Sequence, residues 1–187
     1  MVKAKFSNEM LEYIKKMVGH TLCSYEYGKM VQNEAYGNLQ INLDSFAIEI
    51  LNEVKELPFF DSTEDISYFT CEKKSLSEPF KPYCEEPCKK HLIDEKVLSV
   101  YIVEDSISIN DGEYDITFDM AIIIETCNHK YIFSRDWFFS ETISISLDEE
   151  FDNIYPISNV IEDWSDEGEN KVEVKRRKYS LFSWPKA

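Results

Sequence analysis

The sequence of 187 residues has few glycines and none of the short motifs that mark common catalytic sites. Its 5 glycines form no glycine-rich loop of the kind that cradles nucleotide phosphates. It also lacks a Gly-x-Ser-x-Gly elbow, a His-Glu-x-x-His helix and an EF-hand loop. These absences argue against the corresponding enzyme and calcium-binding classes, and we predict no catalytic residues and no enzymatic activity.

Long hydrophobic runs are also absent from the sequence. Residues 1–9 are too polar to contain the apolar core of a signal peptide, and no stretch approaches the roughly 20 apolar residues of a spanning helix. From the sequence we therefore expect no membrane partner and a cytoplasmic location. The 5 cysteines are an odd number, which fits reduced thiols better than a disulfide framework.

Basic residues are scarce relative to acidic ones. The chain has 20 Lys and Arg against 36 Asp and Glu, which gives a formal net charge of −16. Such a field repels nucleic acid and anionic membranes and speeds the encounter with cationic partners. The charge has two interpretations, solubility alone or recognition of a basic protein. We expect no nucleic-acid partner, and a basic protein if the charge has a binding role.

The composition favours a folded domain built mainly from β-sheet. Hydrophobic residues make up 43% of the chain, and 12 Phe and 11 Tyr favour strands over helices. One short amphipathic helix is predicted over residues 7–18, where Ser7 caps the first turn and Gly19 ends the helix. We predict a single α+β domain over 1–187, mainly antiparallel, with this helix covering one side of the sheet.

The clearest strand pattern lies between Gly112 and Thr126. Apolar and polar residues alternate at its start, and the four apolar residues at 121–124 then indicate a strand covered on both faces. A fainter copy spans 37–51, where Gly37, Ile41, Asp44 and Ile48 match Gly112, Ile116, Asp119 and Ile123 without a gap. We therefore predict two related β-units, 19–74 and 95–147, that form one sandwich or a partly open barrel.

A cysteine- and proline-rich segment, 75–93, is predicted to be an ordered insertion between the two units. It contains Cys84, Cys88 and His91, and Cys71 precedes it. Three sulfurs and an imidazole suit a tetrahedral structural zinc ion, although the spacing is not the usual Cys-x2-Cys pair. Ordinary buried, reduced cysteines are the alternative, and the sequence implies no other cofactor.

The segment 148–170 is acidic and contains no Lys or Arg. Interleaved apolar residues indicate order, and we predict a loop with one helical turn near 158–164, followed by a C-terminal strand over 171–183. Aromatic residues beside charges are typical of interface anchors, while pairing of this segment with the basic C-terminal strand is the alternative. The candidate partner-binding residues are Trp137, Asp148, Glu149, Glu150, Asp152, Glu162, Asp163, Trp164, Asp166 and Glu167.

The acidic chain, its scattered aromatics and its tandem β-patterns such as Gly112-Glu-Tyr-Asp-Ile-Thr-Phe-Asp resemble bacterial immunity proteins of polymorphic toxin systems over residues 19–147. The resemblance implies a protein that binds and blocks a cognate toxin and performs no chemistry itself. It carries over no site residues. We therefore expect an inhibitor of a basic toxin such as a nuclease. The alternatives are a small-ligand-binding or enzymatic β-barrel with a central pocket, and an assembly domain that pairs through sheet edges.

Overall fold

Ten β-strands and three α-helices form the fold in a computed structural model, which describes residues 1–31, 33–83, 87–165 and 169–183. The strands are β1 (Val2–Ala4), β2 (Thr21–Val31), β3 (Glu34–Leu43), β4 (Ala47–Phe59), β5 (Ser62–Lys74), β6 (Cys88–Ile109), β7 (Tyr114–Thr126), β8 (Lys130–Arg135), β9 (Thr142–Leu147) and β10 (Val172–Ser183). The helices are α1 (Asn8–Lys15), α2 (Phe151–Ile154) and α3 (Ile157–Trp164). The predicted fold class, mainly antiparallel β with an N-terminal helix, is confirmed at this level.

All described strands belong to one sheet, and six of them close a ring. The ring runs from β2 through β3, β9, β8, β7 and β6 back to β2, and each of its pairings is antiparallel. The β4–β5 hairpin extends the sheet from β3, and β10 extends it from β6. Among the described pairings only that of β1 with β7 is parallel.

The predicted residue-by-residue match between 37–51 and 112–126 is wrong, because the matched positions lie in different structures. Residues 37–51 contain most of β3, a turn and the start of β4, whereas 112–126 lie almost entirely in the single strand β7. The chain reverses after Asp44, while Asp119 is buried in the middle of β7. The matched patterns belong to the second strands of two four-stranded meanders, β2–β5 and β6–β9, and these strands differ in length.

Two apolar clusters fill the molecule, and β7 contributes to both of them. Ile122 and Ile124 face the cluster inside the ring, whereas Ala121 and Ile123 face the cluster beneath α2 and α3. These four residues are at most 1% exposed, which confirms the predicted strand covered on both faces. Side chains from all six ring strands join the first cluster, so apolar residues fill the described interior where the ligand-binding alternative needs a pocket.

Helix α1 covers one side of the sheet, as its amphipathic pattern predicts. The Ser7 hydroxyl accepts a hydrogen bond from the Met10 amide at 3.2 Å, and Gly19 has a φ of 87° after the helix. Ile14 and Met17 are buried in the ring cluster. Within the described residues, no helix has the length and apolarity needed to cross a membrane.

Strand β6 corrects two boundaries expected from the sequence. It begins at Cys88 and pairs with β2 over 88–96, so the predicted insertion 75–93 ends earlier and its last residues are strand. The two adjacent acids Glu104 and Asp105, between apolar strand patterns in the sequence, predict a turn, but the structure has a β-bulge next to Val103 instead. The strand continues through both acids because Arg177 and Arg176 of β10 lie directly opposite them and form ion pairs with them.

The described remainder of the insertion packs against the polar face of β3. The Tyr83 amide donates to Asn38 Oδ1 at 3.0 Å, and Asn38 Nδ2 donates to the Lys81 carbonyl at 2.8 Å. The Tyr83 hydroxyl also donates to Glu53 Oε1 at 2.7 Å. The segment is thus an ordered strap over the first meander, held by one buried asparagine that uses both ends of its amide.

Candidate functional site

The described part of the acidic segment contains two helices: α3 confirms the helical turn predicted near 158–164, whereas α2 lies where a loop was predicted. Phe151 of α2 and Val160 of α3 are buried in the second apolar cluster. In α3, Val160 and Trp164 are four residues apart and share the buried face. The apolar residues interleaved with the acids therefore dock this segment on the sheet and turn its carboxylates outward.

Trp164 is not a surface residue, which corrects its predicted role in partner binding. It is 4% exposed, and its ring centroid lies 5.8 Å from that of Phe118 and 5.3 Å from that of Phe138. Trp137 is 43% exposed and packs edge-on against Phe139 at 4.9 Å. Of the two tryptophans proposed as anchors, only Trp137 is available to a partner.

Four of the predicted acidic residues are engaged within the fold. Asp148 Oδ2 lies 2.7 Å from His129 Nδ1, and its Oδ1 accepts from the Lys130 amide. Glu150 forms an ion pair with Lys130. Asp152 of α2 pairs with Arg176 of β10 at 2.9 Å. Half-buried Asp163 of α3 accepts a hydrogen bond from Tyr155.

Two of the predicted acids, Glu149 and Glu162, remain as free surface charges. Both are exposed and form no ion pair with any residue in the described ranges. Glu162 shares α3 with Ile157 and Ile161, which are four residues apart and each more than a third exposed. Asp166 and Glu167 lie outside the described residues. The described part of the segment thus leaves both unpaired carboxylates and apolar side chains exposed to solvent.

A cleft of about 530 Å³ opens where the ring mouth meets the acidic segment. Tyr25, His91 and Tyr131 project into it from β2, β6 and β8. Glu34 of β3 and Glu149 add carboxylates to its wall. The remaining lining residues are Asn33, Ser144, Ile145, Ser146, Leu147 and Ile154. The cleft therefore joins five ring strands to the segment that the sequence marks as a partner surface.

The aromatic side chains of the cleft are neutral at physiological pH. Tyr25 and His91 stack nearly parallel, with ring centroids 4.6 Å apart. Burial raises the pKa values of Tyr25 and Tyr131 to about 12, and it lowers the pKa of His91. Since no Lys or Arg is among its lining residues, the charges that remain at this cleft are the two carboxylates.

The predicted zinc ligands do not come together at their described positions. Cys71 is buried on β5, where burial raises its thiol pKa to about 12 and its Sγ donates to the Met10 carbonyl. Cys88 and His91 are three residues apart on β6, so they point to opposite faces. Cys84 lies outside the described residues. Within the described part of the chain, no group of three or more His, Cys, Asp and Glu side chains is arranged to hold a metal ion.

His129 is held by carboxylates at both ring nitrogens. Its Nδ1 lies 2.7 Å from Asp148, and its Nε2 lies 3.8 Å from Glu95 Oε1. His20 is held in the same way, with Nδ1 2.6 Å from Asp44 Oδ1. Both aspartates also accept the backbone amide that follows the histidine. The repeated arrangement fits a clasp at the open end of a β-hairpin.

Sequence reasoning missed the aromatic half of the cleft. Tyr25, His91 and Tyr131 come from strands that are far apart in the chain, and each alone has an ordinary strand pattern. Only Glu149 of the lining residues was predicted for a partner surface. Ring closure, which no local pattern encodes, places the other residues beside it. Comparison with models of protein families, with curated proteins and with solved structures gave no match.

Proposed function

We propose that the protein is a non-enzymatic binding protein that recognises a basic macromolecule through its acidic face. The observation that carries the proposal is the acidic segment, whose described part leaves Glu149 and Glu162 unpaired and Ile157 and Ile161 exposed. Trp137, outside the segment, is a further exposed aromatic side chain. Carboxylates steer a cationic partner, and apolar side chains hold it after the encounter. We further propose the role of an immunity protein whose partner is a basic toxin such as a nuclease.

Arginine usage supports an acidic exterior. The sequence contains three arginines, Arg135, Arg176 and Arg177. Arg135 is buried, the side chain of Arg176 is 7% exposed, and Arg177 is bound to buried Glu104. Part of the positive charge is therefore used to neutralise internal acids, and the excess of carboxylates faces solvent.

The proposed mechanism is steric occlusion. A nuclease binds the phosphates of its substrate with basic side chains. The carboxylates of the acidic face would form ion pairs with those side chains in place of phosphate. The protein needs no catalytic group for this role. Surface complementarity and a slow dissociation rate are sufficient for inhibition.

The proposal is tested by charge reversal on the acidic face. We expect a Lys- or Arg-rich protein to be retained from a native-host extract by the wild-type chain. The double variant Glu149→Lys/Glu162→Lys should lower the association rate with that purified protein by about tenfold at low salt. Stopped-flow fluorescence measures the rate.

A matched control separates local recognition from net charge. The double variant Glu12→Lys/Glu78→Lys makes the same charge change at exposed positions on α1 and on the strap. We expect its association rate to stay within about twofold of wild type, since only the acidic face meets the partner. Equal losses in both variants would show that the acidic segment is not the binding surface.

A further inference from the structure

We propose that the cleft between the ring mouth and the acidic segment is a receptor for an arginine side chain. This inference rests on the proposed function, and it names the group of the basic partner that the protein recognises. The cleft volume of about 530 Å³ lies within the usual range for ligand sites, ~300–1,000 Å³. Its lining supplies acceptors, negative charge and apolar contact, and each of these matches a part of arginine.

The hydroxyls of Tyr25 and Tyr131 are acceptors without a protein partner. The two residues are 8% and 7% exposed, and both line the cleft. No described residue forms a hydrogen bond with either hydroxyl, and neither oxygen is fully buried, so both face the open cleft and can bond a ligand there. A ligand with several N–H donors would fill both positions at once.

Negative charge comes from Glu34 and Glu149, which form no ion pair within the described ranges. A guanidinium has five N–H donors in a fixed planar fork and no acceptor. It can therefore bond carboxylate and phenol oxygens together, whereas an ammonium has three donors at one point. Neutral His91, stacked on Tyr25 at 4.6 Å, brings no positive charge that would repel the cation.

The apolar part of the lining suits the methylene stem of the same side chain. Ile145, Leu147 and Ile154 line the cleft beside the polar groups, and the stems of long cationic side chains pack on such surfaces. An anionic ligand is disfavoured because the lining contains two carboxylates and no Lys or Arg. The chemistry of the cleft thus selects a cation with an apolar stem.

The test uses N-acetyl-L-arginine N-methylamide as the probe and the full chain as the receptor. Aromatic NMR signals of Tyr25, His91 and Tyr131 should shift in a saturable way on titration. The citrulline analogue has the same shape without the charge, and we expect it to bind at least roughly tenfold more weakly. Equal binding of the citrulline analogue or of the lysine analogue, or no saturable shift with arginine, would overturn the proposal.

Two variants link the binding to named groups of the cleft. We expect Glu34→Gln to weaken arginine binding by roughly fivefold and Tyr131→Phe, which keeps the ring, by roughly threefold. Glu64→Gln removes an exposed charge on β5, away from both the cleft and the acidic segment, and should leave the affinity within about twofold. Unchanged affinity in both cleft variants, with native NMR spectra, would assign the shifts to another surface.

The two proposals fail in distinguishable ways. Suppose that the arginine probe causes no saturable shift at the cleft, while Glu149→Lys/Glu162→Lys still slows association with the basic protein. The receptor assignment is then wrong and the binding function stands. If the probe binds as expected and no basic protein associates, the cleft remains a guanidinium site and the proposed function is wrong.

Discussion

At the residue scale, the clearest buried charge is Arg135, which lies between the rings of Phe69 and Phe118 at 5.0 and 5.2 Å. Its Nε donates to the Asp119 carbonyl at 3.0 Å, and its Nη1 donates to Ser67 Oγ at 2.5 Å. The Asp119 carboxylate instead accepts the Phe6 amide at 2.7 Å. The aspartate thus fixes the N-terminal segment from inside the core.

Burial raises the pKa of Asp119 from 3.8 to about 6. Between these values the folded state keeps a proton that the unfolded state has released, so the free energy of unfolding falls as the pH rises through this window. The shift of roughly two units corresponds to about 3 kcal/mol. We predict that Asp119→Asn removes this part of the pH dependence, as measured by urea unfolding between about pH 4 and pH 7.

The exposed carboxylate of Asp65 on β5 provides the comparison for Asp119. We expect Asp65→Asn to keep the wild-type fall in unfolding free energy across the same pH window. If the Asp119→Asn variant shows the same fall as Asp65→Asn, the buried carboxylate is not the group that titrates.

Gly37 tests the contact between the strap and the first meander. A Cβ at this position would lie 2.1 Å from Cδ2 of the Tyr83 ring, and the backbone has a φ of 72°. Gly112 has a φ of 96° and no atom within 4 Å of such a Cβ. We predict that Gly112→Ala costs about 1 kcal/mol from backbone strain alone, and that Gly37→Ala costs about 1–2 kcal/mol more, from displacement of Tyr83.

A double-mutant cycle checks the cause of that difference. In the Tyr83→Ala background, the unfolding cost of Gly37→Ala should approach that of Gly112→Ala. A cost that is unchanged by loss of the ring would mean that Tyr83 does not restrict Gly37.

At the element scale, Arg176 joins the acidic segment to the sheet. It forms a bidentate pair with Asp105 at 2.7 and 2.6 Å, donates to Asp152 at 2.9 Å, and lies 4.6 Å from the centre of the Phe151 ring. Asp105 is fully buried, and burial raises its pKa. One guanidinium therefore satisfies a core carboxylate and anchors α2.

We predict that Arg176→Met destabilises the fold by about 3–5 kcal/mol, because it leaves a buried carboxylate without its partner. It should also increase amide hydrogen exchange in α2 and α3. Arg177→Met is the matched control, since the Arg177 side chain is 63% exposed and its partner Glu104 also contacts Lys5. Chemical denaturation measures the free energy of unfolding of the two variants. An equal loss in both would show that Arg176 does not have this special role in joining α2 to the sheet.

The clasp at the β8–β9 hairpin raises the pKa of His129, chiefly through the hydrogen bond to Asp148. Its contribution to stability is thus present at low pH and is lost as the pH rises through the folded-state pKa. We predict that Asp148→Asn lowers the pKa of His129 in an NMR titration, whereas Glu149→Gln changes it much less. If the pKa of His129 is the same in the Asp148→Asn variant as in wild type, the clasp is not formed in solution.

Sequence patterns predicted elements where local chemistry decides the structure. Ser7 caps α1 as predicted, although the helix ends at Lys15, earlier than the predicted stop at Gly19. The Asn-Asp-Gly sequence after β6, a strong turn signal, has positive φ at each of residues 110–112. Prediction failed where a distant partner decides. The sequence of Glu104 and Asp105 indicates a turn, but these residues stay in the strand because two arginines of β10 lie opposite them. The cleft forms because the ring places strands from both meanders beside Glu149.

At the scale of the whole molecule, the excess negative charge lies at the surface. Arg176 and Arg177 pair with internal carboxylates, and apolar residues of α2 and α3 bury the inner side of the acidic segment. Glu149 and Glu162 remain unpaired at its surface. The assembly alternative, in which the edge strands β5 and β10 pair with another copy, stays a prediction that a mass measurement in solution would test. We propose that the acidic face recognises a cation on its partner.

The most direct test of that claim is the association rate of the captured basic protein as a function of ionic strength. Raising NaCl from about 50 to about 500 mM shortens the screening length severalfold. We predict that the association rate falls by at least about tenfold over this range, and that Glu149→Lys/Glu162→Lys flattens the dependence. A rate that does not change with salt would contradict the account.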